Sequence, residues 1–81
     1  MTSKTDIRRW LREGRRHGAT HVIVVCDKFS YEDYPVYIHP GTSVHDKIRQ
    51  YNQNMQRVME VYSLRLPLDA QVDEPRAYHT D

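Results

Sequence analysis

ATHVIVVCDKFSYEDYPVYI, residues 19–38, is the stretch on which the fold turns. Val22, Ile23, Val24, Val25 and Cys26 form an unbroken apolar run that is mostly β-branched. Such a run suits a central strand covered on both faces. Tyr34, Val36, Tyr37 and Ile38 make a second, shorter strand. The connection from Asp27 to Asp33 is short, so the two strands pair antiparallel. Pro35 cannot donate to a ladder, which places the second strand at a sheet edge, at least near its start.

Upstream, Ile7, Trp10 and Leu11, with the stem of Arg15, fall on one helical face at i, i+3, i+4 and i+8. Ser3 or Thr5 begins this helix, and Ser3 followed by Asp6 resembles a capping box with a shortened acid. Gly18 suits the position just past its end. Gly14 weakens its last turn by roughly 1 kcal/mol relative to Ala. Arg15, Arg16 and His17 complement the helix dipole.

Downstream, His39 to Ser43 reads as a turn and a cap. Val44, Ile48 and Tyr51 then share a face of a second helix, which Asn52-Gln53-Asn54 ends. Met55 to Leu66 fits two periods. Met55, Val58, Met59, Tyr62 and Leu66 suit a helix, whereas Gln56, Val58, Glu60, Tyr62, Leu64 and Leu66 suit one strand face. Val58, Val61 and Tyr62, with a stop at Pro67, favour a strand over about residues 57–66. Residues 67–81 lack periodicity, and Pro67 and Pro75 interrupt regular structure. The expectation is a single α+β domain over residues 1–66, in the order α-β-β-α-β, with about three strands packed by two helices. An extended acidic arm over residues 67–81 follows, docked on its own subunit or on a neighbour.

An 81-residue chain is one domain. A domain of this size buries only about 60% of the surface its unfolded chain exposes. With hydrophobic residues at 38%, further burial through a homo-oligomer or a ligand is expected. The lone Cys26 excludes an intrachain disulfide and a cysteine-only zinc site. No apolar run is long enough to span a bilayer or to serve as a secretory core. The expected setting is the cytoplasm, with no membrane contact.

The net charge of +1 hides an asymmetry. Residues 1–20 carry six Lys and Arg against two acids, residues 21–66 balance at five each, and residues 67–81 carry one Arg against four acids. The basic head and acidic tail can attract each other, within one subunit or between two. The competing reading is that the head binds an external polyanion.

Two groups of residues are candidates for a site. Arg8, Arg12, Arg15 and Arg16 lie along one helical stripe, and guanidinium forks suit phosphate and stack on planar rings. A solvated helix face is the plain alternative. Nucleic-acid binding is less favoured, because the pI near 7.9 is low for such a domain and the acidic tail opposes a duplex. In the loop, Phe29, Tyr31 and Tyr34 can stack on a base, and Asp27 or Asp33 can read its polar edge. The plain alternative is a turn whose aromatics pack over the sheet end. The five histidines are scattered without a metal-ligand spacing, and no metal or cofactor is expected. Cys26 reads as a buried inert thiol. No phosphate loop, nucleophile elbow or kinase pattern is present, which argues against an enzyme.

Four blocks carry a resemblance: Gly18–His21 (GATH), Cys26–Asp27, Glu32–Tyr37 (EDYPVY) and Met55–Tyr62 (MQRVMEVY). With them the chain resembles a family of small uncharacterised proteins of bacteria, plasmids and bacteriophages, over most of residues 4–66. The resemblance implies an accessory protein of mobile elements, acting in the host cytoplasm if phage-encoded, and supplies no catalytic residues. The leading expectation is a non-enzymatic homo-oligomer that sequesters a phosphorylated nucleotide-type ligand, such as a host-defence signal. Its arginines would hold phosphate and its loop would hold the base. The alternatives are a protein-interaction module that regulates a host factor and a nucleic-acid-binding protein.

Overall fold

The computed structural model describes residues 2–81. Its elements are α1 (Lys4–Arg16), β1 (His21–Asp27), β2 (Glu32–Ile38), α2 (Val44–Gln50), β3 (Gln56–Ser63) and α3 (Leu68–Val72). The strands form one antiparallel sheet in the order β2-β1-β3. The α+β class is as expected, and the first five elements follow the expected order. The apolar run is the central strand, with Val22 to Val25 at most 1% exposed. Pro35 lies on the edge strand β2, opposite Val24.

Helices cover both faces. On one, Ile7 and Leu11 of α1 and Val72 of α3 pack on Val22, Val24, Tyr62 and Leu64. On the other, Val44 and Ile48 of α2 pack on Ile23, Val25, Ile38, Val58 and Val61. Both long helices start as their sequences indicate. Ser3 Oγ accepts the Asp6 N–H at 3.1 Å, and Ser43 Oγ accepts the Asp46 N–H at 3.3 Å.

Gly14 is more than a weak helix residue. A Cβ built there would lie 2.9 Å from Val22 Cγ2 and 3.0 Å from Leu64 Cδ1. The missing side chain lets α1 settle directly on the sheet. Gly18 closes the helix at φ +76°, a conformation that favours glycine.

β3 departs from simple alternation. Val24 pairs with Glu60 but Val25 pairs with Val58, so Met59 is the extra residue of a bulge. Val58 therefore faces α2, whereas Tyr62 and Leu64 face α1. The single strand face read from Gln56 to Leu66 is thus two half-faces. The strand also ends at Ser63, three residues earlier than the periodicity suggests.

The chain after β3 differs most from expectation. Residues 67–81 are not simply an extended arm. Pro67, at φ −55°, leads into α3, where its missing N–H removes nothing from the helix. Gln71 is 2% exposed and anchors this helix. Its Oε1 accepts the Ser63 N–H, and its Nε2 donates to the Ser63 carbonyl, both at 2.8 Å. After a turn and bends over residues 73–76 the chain forms one parallel bridge to β3, Tyr78 with Val61. The Val61 N–H donates to Ala77 O at 3.0 Å, and the His79 N–H donates to Val61 O at 2.9 Å. The tail thus covers the β3 edge of its own chain and buries Ala77 completely. Head and tail charges meet within the chain, Lys4 with Asp73 at 3.3 Å and Arg8 with Asp69 at 4.0 Å. Both pairs are exposed, so each contributes at most about 1 kcal/mol.

Candidate functional site

The β1–β2 turn projects from one end of the sheet. Asp27 builds it twice over: Oδ1 accepts the Phe29 N–H at 2.8 Å, and its carbonyl accepts the Tyr31 N–H at 2.6 Å. Tyr31 is held at φ +58°. The neighbouring α2–β3 loop carries two more left-handed residues, Asn54 at φ +56° and Met55 at φ +66°. The Lys28 N–H donates to Met55 O at 2.8 Å and ties the two loops together. The result is a joint tip on which Phe29 is 84% exposed, Tyr31 77% and Met55 57%.

Three large apolar or aromatic side chains held in water at adjoining turns are unusual in an 81-residue fold with little hydrophobic residue to spare. A non-glycine residue in the left-handed region costs roughly 1–2 kcal/mol. Both costs are borne at the same place. Beside the tip an open hollow of about 380 Å3 is lined by Cys26, Lys28, Tyr31, Met55, Arg57 and Met59. Cys26 sits between Asp33 and Arg57 in the sheet register. It is half-buried rather than buried. Burial, then the hydrogen bond and charge of Asp33, push its thiol up, so it stays protonated and is a poor nucleophile.

The structure divides the loop residues expected to act together. Asp27, Phe29 and Tyr31 stay at the tip. Asp33 turns to the α1 side, where Thr2 Oγ1 donates to it at 2.5 Å. Tyr34 turns to the α2 side and packs against the cluster that includes Ile23, Val25 and Val58. Its hydroxyl accepts from Gln56 Nε2 at 2.6 Å, and burial is the first reason its ionisation is pushed up.

The arginines lie elsewhere. The N-terminal end of α1 adjoins Asp33 through Thr2, and its C-terminal end adjoins Tyr37, whose ring centroid is 6.4 Å from that of His17. A 13-residue helix is about 20 Å long, so Arg15 and Arg16 are at the end remote from the tip. Arg16 pairs with Glu13 at 3.6 Å, and Arg8 leans towards Asp69. Arg8 and Arg12 border a small hollow of about 180 Å3 with Leu68 and Asp69. Among the described residues, Arg12 and Arg15 have no carboxylate within ion-pair distance. Within one chain, then, the arginine stripe and the aromatic loop do not form one pocket.

Met55, Lys28 and Arg57 join the tip without having stood out in the sequence. Met55 was absorbed by the apolar periodicity of the following segment, and nothing in composition marks a left-handed methionine. Among the described residues no three His, Cys, Asp or Glu side chains gather to hold a metal ion, and no helix is long and apolar enough to cross a membrane. Comparison with family models, curated proteins and solved structures finds no match to this chain.

Proposed function

We propose that this chain is a non-enzymatic accessory binding protein of a mobile element and that its tip engages a partner protein. The observation that carries this reading is the joint exposure of Phe29, Tyr31 and Met55 on two loops locked to each other. Phe29, the most exposed of the three, stands outside the hollow that Tyr31 and Met55 line. Aromatic residues, Met and Arg are the side chains enriched in protein interfaces, and Lys28 and Arg57 supply a polar rim. Burying one such aromatic contributes about 1.5–3 kcal/mol. The resemblance of the GATH, EDYPVY and MQRVMEVY blocks supports the mobile-element setting.

A second reading keeps the phosphorylated nucleotide-type ligand. Arg12 and Arg15, exposed and without a carboxylate partner among the described residues, favour it. It requires a homo-oligomer in which one subunit's arginines face the loop of another. Paired variants separate the two readings. Phe29→Ala with Tyr31→Ala should abolish a stoichiometric complex with a host protein, while Arg12→Ala with Arg15→Ala leaves it intact. Loss of a nucleotide adduct in the arginine pair, with no protein complex in the wild type, would reverse the order.

A further inference from the structure

Cys26 and Arg57 are cross-strand partners, and strand alternation puts them on the α1 face of the sheet with Val22 and Val24. The α1 cluster takes in Val22 and Val24 but stops short of Cys26. This end of the face is left uncovered, with Cys26 half-buried and Arg57 exposed. The open hollow of about 380 Å3 beside the tip lies here. Met55 and Met59 give it apolar walls and Tyr31 an aromatic one. Its charged residues are Lys28 and Arg57, and no carboxylate lines it.

Among the described residues neither the Lys28 ammonium nor the Arg57 guanidinium has a hydrogen bond or an ion pair. The nearby acids are turned away or engaged. Asp27 and Glu32 are the cross-strand pair next to Cys26 and Asp33, so alternation turns them to the opposite, α2 face. Asp33 shares the face of Arg57 but is two strands across, about 10 Å away. It accepts from Thr2. Tyr31 and Met55 belong both to the exposed tip and to the hollow. A partner that covers them therefore also covers Lys28 and Arg57. Taking two cations out of water without countercharges is costly, and carboxylates on the partner offset that cost. The planar fork of Arg57 matches a carboxylate in particular.

We propose that the hollow takes an acidic peptide segment of the partner, an apolar side chain with a neighbouring carboxylate. The apolar side chain lies on Tyr31, Met55 and Met59, and the carboxylate accepts from Arg57 and Lys28. This assignment rests on the partner reading and adds the chemistry of what the tip binds. Asp27 and Glu32, at the same end of the sheet, repel an extended polyphosphate, which favours a peptide carboxylate over a nucleic-acid strand.

The test is an amide NMR titration of the full chain with acetyl-Leu-Asp-Glu-Leu-amide, with its Asn-Gln and Lys-Lys counterparts as neutral and basic controls. Saturable shifts at Lys28, Tyr31 and Met55 to Arg57 are expected with the acidic peptide only. Lys28→Glu with Arg57→Glu should bind it about tenfold more weakly or worse. Both residues are exposed, so the variant should keep the wild-type amide shifts of Val22 to Val25. Absence of saturable shifts at millimolar acidic peptide, equal binding of either control, or unchanged affinity in the charge-reversed variant would overturn the proposal. Single-stranded oligodeoxythymidine giving the same shifts at lower concentration would overturn the assignment to a peptide carboxylate. The partner reading fails separately, when Phe29→Ala with Tyr31→Ala leaves a host-protein complex intact. A complex that needs Phe29 and Tyr31 but survives the charge reversal would overturn the acidic chemistry and leave the partner reading standing.

Discussion

Gly14→Ala is expected to destabilise the protein, against the usual effect of replacing a helical glycine. Helix propensity alone would make alanine better by about 1 kcal/mol. The new methyl group, however, would sit 2.9 Å from Val22 Cγ2, 3.0 Å from Leu64 Cδ1 and 3.3 Å from Tyr37 Cδ1. Leu64 and Tyr37 can yield a little. Val22 cannot, because it is β-branched and 0% exposed on the central strand. Overpacking of this kind costs about 1–3 kcal/mol. The net expectation is a loss of about 0–2 kcal/mol, measured by urea unfolding at constant m-value. The decisive comparison is a double-mutant cycle with Val22→Ala. Once Val22 is shortened the clash is relieved, so Gly14→Ala should turn stabilising, with a coupling of about 1–3 kcal/mol. If Gly14→Ala adds about 1 kcal/mol of stability in both backgrounds, α1 does not rest on Val22 and the packing argument is wrong.

Other variants probe the remaining links. Tyr31→Gly should leave stability unchanged or raise it by about 1 kcal/mol, because the left-handed backbone at φ +58° suits glycine, yet it should weaken partner binding. Gln71→Leu should cost roughly 1–3 kcal/mol in urea unfolding, since it orphans the buried N–H of Ser63 and leaves the Ser63 carbonyl only the 3.4 Å bond from the Leu66 N–H. His21 sets a pH dependence. Burial, the leading cause, holds it below its ordinary 6.5, outweighing the carbonyl of Asp81. Above that value both folded and unfolded forms are neutral. As pH falls through it, the unfolded chain takes the proton first, so stability is lost. A His21→Gln variant should show a flatter melting temperature between about pH 7 and pH 5, and identical slopes would contradict a buried neutral imidazole.

The parts of the fold written in local pattern were legible. Val22 to Val25 announced a central strand, Pro35 an edge, and Ser3 and Ser43 helix starts. What escaped was set by tertiary contact. The bulge at Met59 splits the apparent strand face of Gln56 to Leu66, and no residue type marks it. α3 is only five residues long and is held by Gln71 bonding back to Ser63, a bond between two elements that a periodicity reading cannot contain. Propensity alone cannot show the role of Gly14, because Val22 and Leu64, which crowd it, lie on other elements. In the candidate site, Phe29 and Tyr31 are legible as loop aromatics. Their grouping with Met55 depends on the Lys28–Met55 backbone bond. Spacing places the arginines on one helix, but helix length decides how far they lie from the loop.

Native mass spectrometry of the chain purified gently from its host tests the central claim most directly. A stoichiometric complex with a host protein is expected for the wild type and should be lost when Phe29 and Tyr31 are both alanine. A bare chain, or one carrying only a nucleotide-sized adduct that survives those two substitutions, would contradict a partner-binding tip.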